Sequence, residues 1–239
     1  MRIQQNGDQA IIVFFSGDVS LPLNRQIQSF CNLIEEASIS GIVEWVPAYK
    51  SVTIYYNPGE ILYHELRDAV YELGNEPKNI EIHPNRVVHV PVLYGGEEGP
   101  DLERLAKHAN LEKNDVITLH KEPLYFVNML GFLPGFPYLS GLNPKLVIPR
   151  LKNPRGRIPA GSIGIAHEQT GIYPTESPGG WNIIGRTPLT LFAPLKQVDV
   201  FLFQPGDSVK FYEITKQEFH DIELQLEKEE FQVRVDYLK

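Results

Sequence analysis

The chain has 239 residues, of which 42% are hydrophobic and 22% are charged, and its formal net charge is -8. This length and composition exclude a disordered chain and are typical of a globular protein with one large domain or two ordinary ones. The acidic balance disfavours nucleic acid and anionic membrane surfaces as partners, and no apolar run approaches the length of a membrane span.

The first residues carry no signal-peptide pattern, so we expect a cytoplasmic protein. Cys31 is the one cysteine. It lies among apolar residues at helical spacing, which predicts a small core residue rather than a nucleophile. The Cys and His residues form no metal-ligand pattern, so the sequence predicts no metal site.

The first third of the chain alternates predicted strands and helices in the order β-α-β-β-α-β. The strands are expected within residues 9–15, 41–58 (two strands around a turn near Pro47) and 79–95, and the helices within 20–37 and 60–75. Either Ser20 or Asn24 is expected to cap the first helix. The order predicts an α+β domain of the ferredoxin-like kind over residues 1–84, with the domain joint at residues 83–86.

The remaining residues, 85–239, show a different texture, with short β-type runs separated by glycine and proline turns. These runs are "LYFVNML", "LVIP", "SIGIA", "TLFAPL" and "VDVFLF". Helices are predicted at residues 101–109, with Asp101 as the N-cap, and at 215–230. Many short strands with frequent turns predict a mainly β barrel or sandwich domain.

Residues 156–185 form a glycine-rich segment that neither a helix nor a plain strand would favour. They hold seven of the chain's 19 glycines, and prolines stiffen the turns between them. Amide, guanidinium, phenol, carboxylate and indole groups lie between these turns. We therefore favour a binding site over the alternative, an inert surface loop.

Two further segments share this texture. Residues 131–142, "GFLPGFPYLSGL", are expected either to wall a pocket or to pack as a turn on the core. Residues 94–105, "YGGEEGPDLERL", place glycines before a helix start, which is a weak signal for an anion site because the lysine and spacing of a P-loop are missing.

The words "GFLPGFPYL", "PRLKNPRGRIPAGSIGIA", "QTGIYPTESPGGWNIIGRTPL" and "YGGEEGPDL" closely resemble one family over nearly the whole chain. That family is called allophanate hydrolase subunit 1, or carboxyltransferase subdomain C and D. The resemblance implies that residues 85–239 form a cyclophilin-like β-barrel, preceded by the small α+β domain.

The resemblance also implies an activity. The chain would act as the B subunit of an ATP-dependent 5-oxoprolinase complex, which cleaves 5-oxo-L-proline to L-glutamate while ATP becomes ADP and phosphate. Its partners would be the A and C subunits of that complex, the latter of the allophanate hydrolase subunit 2 type, and the sequence does not locate the ATP site. The alternative is a Kip-type inhibitor that binds a sporulation-type sensor histidine kinase and blocks its autophosphorylation. A prolyl isomerase rests on fold analogy alone.

Positions matching the family's motifs give the candidate site residues. The catalytic candidates are His120, Arg155, Gln169, Tyr173 and Arg186, and the substrate-binding candidates are Asp101, Ser177, Gly179, Gly180 and Trp181. By residue type, the arginines would grip a carboxylate or phosphate, the histidine would move protons, and the amide and phenol would orient the substrate.

Plainer interpretations stay open for two of these side chains and for Glu176. A lone histidine such as His120 is more often a satisfied structural residue, and the alternative for Arg155 is a solvated side chain. Glu176 is either a general base or the partner of a nearby arginine. The other histidines are expected to be structural or surface residues.

Overall fold

The computed structural model describes residues 1–75, 85–196, 198 and 200–238. The chain divides into two compact units, Met1–His83 and Pro84–Lys239. In the part of the chain that the structure describes, no helix has both the length and the apolar character needed to cross a membrane.

The N-terminal unit is a four-stranded antiparallel sheet with two helices. Its strands are β1 (Arg2–Gln5), β2 (Ala10–Phe14), β3 (Ile42–Pro47) and β4 (Ser51–Tyr56), and its helices are α1 (Leu21–Ala37) and α2 (Tyr63–Asn75). The strand order is β1-β2-β4-β3. Alternate residues of β2 and β4 and the apolar stripe of α1 form one buried cluster, as their periodicities predict.

Local chemistry fixes the bounds of α1. The Ser20 hydroxyl accepts a hydrogen bond from the Leu23 N–H at 3.4 Å, so Ser20 is the cap and Asn24 is not. Ser38 ends the helix in the left-handed region at φ 44°. Cys31 is buried on the inner face and burial raises the pKa of its thiol to about 12, which confirms the prediction of a core residue.

The sheet differs from the predicted order at its edge beside β2. Strand β1 occupies that edge, and the sequence did not predict it because "RIQQ" offers a single apolar side chain, Ile3. The strand predicted for residues 79–83 and half of the predicted joint, residues 83 and 84, lie outside the described residues.

The second unit is a closed barrel of seven strands with mixed directions. Its strands run in the order β12-β9-β10-β7-β6-β13-β5, and β12 pairs back onto β5. The ring strands are β5 (Asn85–Tyr94), β6 (Tyr125–Leu130), β7 (Pro137–Ser140), β9 (Ser162–Ala166), β10 (Gln169–Ile172), β12 (Asn182–Arg186) and β13 (Ser208–Glu213). Only the β5–β13 pair of the ring is parallel in the described residues.

Smaller elements surround the ring. Strand β14 (Val235–Leu238) pairs with the beginning of β5, and β8 (Arg155–Ile158) pairs with β11 (Ser177–Gly179) in a separate two-stranded sheet. The helices are α3 (Leu102–Ala109), α4 (Lys113–Lys121) and α5 (Lys216–Glu227). Aliphatic side chains from β5, β9, β12 and α3 fill the barrel core.

Three predicted strands are wrong. "LVIP" contributes Leu146, the last residue of the 3-10 turn Pro144–Leu146, and a single bridge from Ile148 to His167. "TLFAPL" and "VDVFLF", whose Asp199 lies outside the described residues, contribute the isolated bridge between Phe192 and Phe201. Pro149 and Pro194 carry no N–H to donate to a ladder.

Helix α4 was not predicted. At its start the Glu112 backbone N–H donates to the Asp115 carboxylate at 3.3 Å, and the Asp115 N–H donates to the Glu112 backbone carbonyl at 3.1 Å. Its buried face consists of Val116, Ile117 and His120. Because polar His120 lies on this buried face, the apolar residues alone do not show the helical spacing from which the helix could have been predicted.

Candidate functional site

A small depression lies where the glycine-rich segment meets the turn before α3. Its volume is about 50 Å³, and its lining consists of Glu97, Glu98, Pro100, Arg155, Arg157, Ile158, Pro159, Ser162 and Ile183. The prolines and isoleucines supply an apolar floor, while carboxylates and guanidinium groups supply a polar rim. Apolar walls with a few converging charges are typical of ligand sites.

Arg155 lines the depression and is held in place by Asp101, which is not itself part of the lining. The Arg155 Nη1 and Nη2 atoms donate to the two Asp101 oxygens, each at 2.8 Å, and Asp101 Oδ2 also accepts the Ile183 backbone N–H at 2.7 Å. Asp101 is 5% exposed, whereas the Arg155 side chain is 33% exposed. A paired, bidentate geometry of this kind is strong, so Arg155 is not a freely solvated side chain.

This arrangement corrects one prediction about Asp101. The residue stands at the N-cap position of α3, but its side chain makes no capping hydrogen bond. Its two oxygens are committed to Arg155 and to strand β12 instead. Asp101 therefore joins the helix start, the β8 strand and the β12 strand at one point.

Arg186 lies on the glutamate side of the depression. Its Nε–H donates to the Ala160 carbonyl at 2.9 Å, and its Nη1 lies 3.4 Å from a Glu98 oxygen. Its guanidinium also lies 5.6 Å from the centre of the Phe219 ring, a cation–π distance. The structure thus brings together Asp101, Arg155 and Arg186 of the predicted site residues.

Sequence reasoning missed Arg157. It stands two residues after Arg155 on β8, so the two side chains lie on the same face of the strand. Its Nε–H donates to Glu176 at 2.7 Å, which favours the second of the two interpretations of Glu176, the partner of a nearby arginine. The spacing of the two arginines in "RGR" would place both on one face of a strand, but the sequence analysis predicted no strand there.

Tyr173 and Trp181 belong to an aromatic cluster beneath β8 and β11 rather than to the rim. Phe136 meets both rings edge to face at 5.2 and 5.5 Å. Burial raises the pKa of Tyr173 to about 12, so the phenol stays neutral. A methyl group on Gly179 would lie 2.3 Å from the Tyr173 hydroxyl oxygen, which explains why glycine stands there.

The remaining candidates lie apart from the rim. Ser177 pairs with Ile158 across the two short strands, and its buried hydroxyl has no hydrogen-bond partner in the described residues. Gly180 accepts the Leu151 N–H through its carbonyl. Gln169 begins β10 opposite Ala166 and does not line the depression.

His120 is fully buried inside the barrel. The Thr170 hydroxyl donates to the Gly164 carbonyl, so it accepts from the His120 Nε2–H at 3.2 Å, and His120 Nδ1 accepts from the Tyr94 hydroxyl at 2.8 Å. The imidazole stacks on Phe211 at 4.7 Å. Burial lowers its pKa to about 3, which favours the structural interpretation of this histidine over proton transfer near neutral pH.

We predict that His120 makes the fold sensitive to acid. Its pKa is about 3 when folded and near 6.5 when unfolded, so the unfolded chain binds the extra proton and stability falls as the pH falls through 6.5. When the pH is lowered from about 7.5 to about 5, this group reduces the free energy of unfolding of the wild type by about 2 kcal/mol. His120→Gln is expected to lose that dependence, as measured by urea unfolding at each pH.

The difference in pH dependence between the wild type and His120→Gln gives the effect of His120 alone. Burial raises the pKa of Asp207 to about 6, which stabilises the folded chain as the pH falls, but both proteins carry this group and its effect cancels. Equal pH slopes in wild type and variant would show that His120 is accessible to protons in the folded state.

A second, more open groove of about 710 Å³ lies beside the start of α5. Its cationic side chains are already bound, because Lys121 pairs with Glu213 at 2.7 Å and the Lys210 ammonium donates to the Glu122 carbonyl. None of the predicted site residues lines it. Within the described residues, no group of His, Cys, Asp and Glu side chains is arranged to hold a metal.

Comparison with protein families gives one match. The model of the carboxyltransferase domain, subdomain C and D, matches residues 1–202. The chain is 40% identical over 230 residues to the B subunit of 5-oxoprolinase from Bacillus subtilis, covering 92% of this chain and 95% of that protein. It is 37% identical over 205 residues to the protein of the same name in Escherichia coli O157:H7, covering 86% and 92%.

Solved structures agree with this match. The conserved uncharacterised protein PH0987 of Pyrococcus horikoshii is 43% identical, with a TM-score of 0.55, 91% of this chain covered and 100% of that one. TTHA0988 is 36% identical with a TM-score of 0.76, over 87% of this chain and 40% of that longer chain. The Kluyveromyces lactis urea amidolyase shares the fold at 21% identity, with a TM-score of 0.80 over 98% of this chain and 16% of the amidolyase.

Proposed function

Because the chain belongs to the carboxyltransferase subdomain C and D family, we propose that it acts as the B subunit of a 5-oxoprolinase complex. In this proposal the complex opens 5-oxo-L-proline to L-glutamate and consumes ATP. The barrel would be of the cyclophilin-like kind, and the partners would be the A and C subunits. The relatives named as the B subunit of 5-oxoprolinase, matched over most of their length, support the assignment.

One structural observation supports a place for the substrate. The Asp101–Arg155 pair holds a guanidinium at the edge of a depression whose floor is apolar. A lactam resists water because its nitrogen donates electrons into the carbonyl group, and phosphorylation of the carbonyl oxygen removes that resonance. Negative charge is carried by the phosphoryl oxygens during transfer from ATP, and by the phosphate that leaves after water has added to the activated carbon. A cation fixed in advance stabilises such charge without a reorganisation cost.

The size of the depression supports a role within a complex. At about 50 Å³ it is far smaller than the pockets of about 300–1,000 Å³ that enclose small molecules. We infer that it holds one part of the substrate while a partner protein encloses the rest. His120 has no proton-transfer role in this proposal, and Tyr173 and Trp181 support the rim from beneath.

The assay that tests the proposal combines this chain with its two partner proteins, 5-oxo-L-proline and ATP. We expect L-glutamate and ADP to form in equal amounts, and we expect little product when any one of the three proteins is omitted. Omission of 5-oxo-L-proline controls for unrelated ATP hydrolysis. Failure of the complete mixture to form glutamate would overturn the proposal.

Regulation of a histidine kinase is the second candidate. Phe132 favours it, because this ring is 65% exposed at the tip of the "GFLPG" turn. Exposed aromatic residues are common where proteins dock. If the complete mixture forms no glutamate but the chain suppresses autophosphorylation of a sporulation-type sensor kinase, the regulator becomes the better account.

A further inference from the structure

The Arg157–Glu176 pair is the exchangeable charge pair at the depression. Its Nε–Oε2 distance is 2.7 Å, yet the two side chains are 78% and 50% exposed. Exposed ion pairs contribute little stability, because water solvates both groups and the side chains lose entropy when they pair. Another carboxylate can therefore displace Glu176 from Arg157 at a small cost in affinity.

The neighbouring Arg155 cannot exchange in this way. Both of its terminal nitrogens are held by Asp101, which is 5% exposed and also accepts the Ile183 N–H. Removing a buried carboxylate from such a partner leaves an uncompensated charge, which costs far more than opening an exposed pair. The two arginines of β8 thus differ sharply in availability although they line the same depression.

The floor between them suits a small ring. Pro100 and Pro159 are exposed and present apolar surface beside the two guanidinium groups, and the buried Ile158 and Ile183 pack behind this surface. A ligand with methylene carbons next to a carboxylate can place its carbons on this floor and its carboxylate on Arg157. A guanidinium binds a carboxylate well because two parallel N–H groups meet two oxygens.

From these contacts we propose that Arg157 binds the carboxylate of the ligand and that Glu176 occupies the same guanidinium when the ligand is absent. The inference rests on the proposed function for the identity of the ligand, 5-oxo-L-proline. It makes Arg157 a specificity-determining residue, because a lactam without a carboxylate gains nothing from it. Glu176 acts as an internal competitor for the site.

The first test measures KM and kcat for 5-oxo-L-proline with the fully assembled complex. Arg157→Gln is expected to raise KM about 10- to 100-fold with kcat nearly unchanged, since a charge-assisted hydrogen-bond pair is lost from binding. Glu176→Gln is expected to lower KM about two- to five-fold, since the competitor is gone. A merely structural ion pair predicts that both variants change KM in the same direction, and that result would overturn the proposal.

The matched control is Arg234→Gln. Arg234 is a similarly exposed arginine, 70% exposed, that pairs with Asp236 at the same 2.7 Å distance. Its loss is expected to leave KM and kcat for 5-oxo-L-proline within about two-fold of wild type, because it does not line the depression. A KM increase equal to that of Arg157→Gln would assign the effect to lost surface charge in general.

The second test does not depend on turnover and so separates this inference from the proposed function. The Nε–Hε signal of Arg157 in the full chain, assigned by its loss in Arg157→Gln, is followed by NMR. We expect 5-oxo-L-proline to shift it at a lower concentration in Glu176→Gln than in wild type. We expect 2-pyrrolidinone, the same lactam without the carboxylate, to leave it in place. No shift with 5-oxo-L-proline, or equal shifts with both lactams, refutes the role of Arg157 even if the complex turns over.

Discussion

Asp101→Asn is expected to destabilise the barrel unit by about 3–5 kcal/mol and to remove 5-oxo-L-proline turnover by the complex. The reason is that a buried ion pair costs this much when one partner is taken away, because the other charge stays unpaired. Here the amide would turn an NH₂ group toward Arg155 or toward the Ile183 N–H, so at least one donor loses its acceptor. The start of α3, strand β8 and strand β12 would then lose hydrogen bonds that connect them through Asp101.

The stability change is measured by urea unfolding in a Trp45→Phe background. The chain has two tryptophans, so this substitution leaves Trp181 as the fluorescent reporter in the barrel unit. Glu103→Gln is the control, because that carboxylate lies two residues further along on α3 and pairs with Lys107 while 65% exposed. Because water screens this pair, its loss is expected to leave the urea midpoint of the barrel unit unchanged within the error of the measurement.

The double variant tests whether Asp101 acts through Arg155. Removing both charges leaves no uncompensated ion, so Asp101→Asn with Arg155→Gln is expected to cost less than the two single changes added together. Strict additivity would mean that the pair is not energetically coupled, and the site proposal would lose the group that fixes its cation.

The sequence predicted most of the elements whose side chains follow a single period. Ile27, Phe30 and Ile34 recur at helical spacing, and Val52 and Ile54 alternate along a strand, so α1 and β4 could be found from local pattern. Strand β1 and helix α4 could not, because one has too few apolar residues and the other carries His120 on its buried face.

The candidate site could be predicted from the sequence only in part, because its key contact joins distant residues. The glycine-rich segment was found from composition, yet the pairing of Asp101 with Arg155 spans 54 residues and has no local signature. Asp101 before a helix favours the N-cap interpretation because capping is a local interaction. The Asp101 carboxylate pairs with Arg155 instead, because a guanidinium offers two charge-assisted hydrogen bonds whereas the helix start offers neutral N–H groups. Which arginine holds a buried carboxylate and which holds an exchangeable one depends on burial, and the local sequence does not show it.

Gly161→Ala is expected to destabilise the barrel unit by about 2–5 kcal/mol. Gly161 has φ +81°, in the left-handed region that costs other residues about 1–2 kcal/mol. An added methyl group would also lie 2.2 Å from the Thr187 carbonyl oxygen, so backbone must move, at about 1–3 kcal/mol for overpacking. That movement would strain the hydrogen bonds that Gly161 makes with Tyr173 and Thr187, at 2.7 and 3.0 Å.

Gly156→Ala is the matched control within the same segment, because a methyl group there would meet nothing within 4 Å. It is expected to stay within about 0.5 kcal/mol of wild type in the same Trp181 unfolding experiment. The pair separates two accounts of the glycine-rich segment. If its turns are rigid, as the proposed binding role requires, the two substitutions differ by several kcal/mol. If both are tolerated, the segment adapts to added volume, and it then lacks the fixed geometry with which Arg157, beside the Asp101–Arg155 pair, would hold a small substrate.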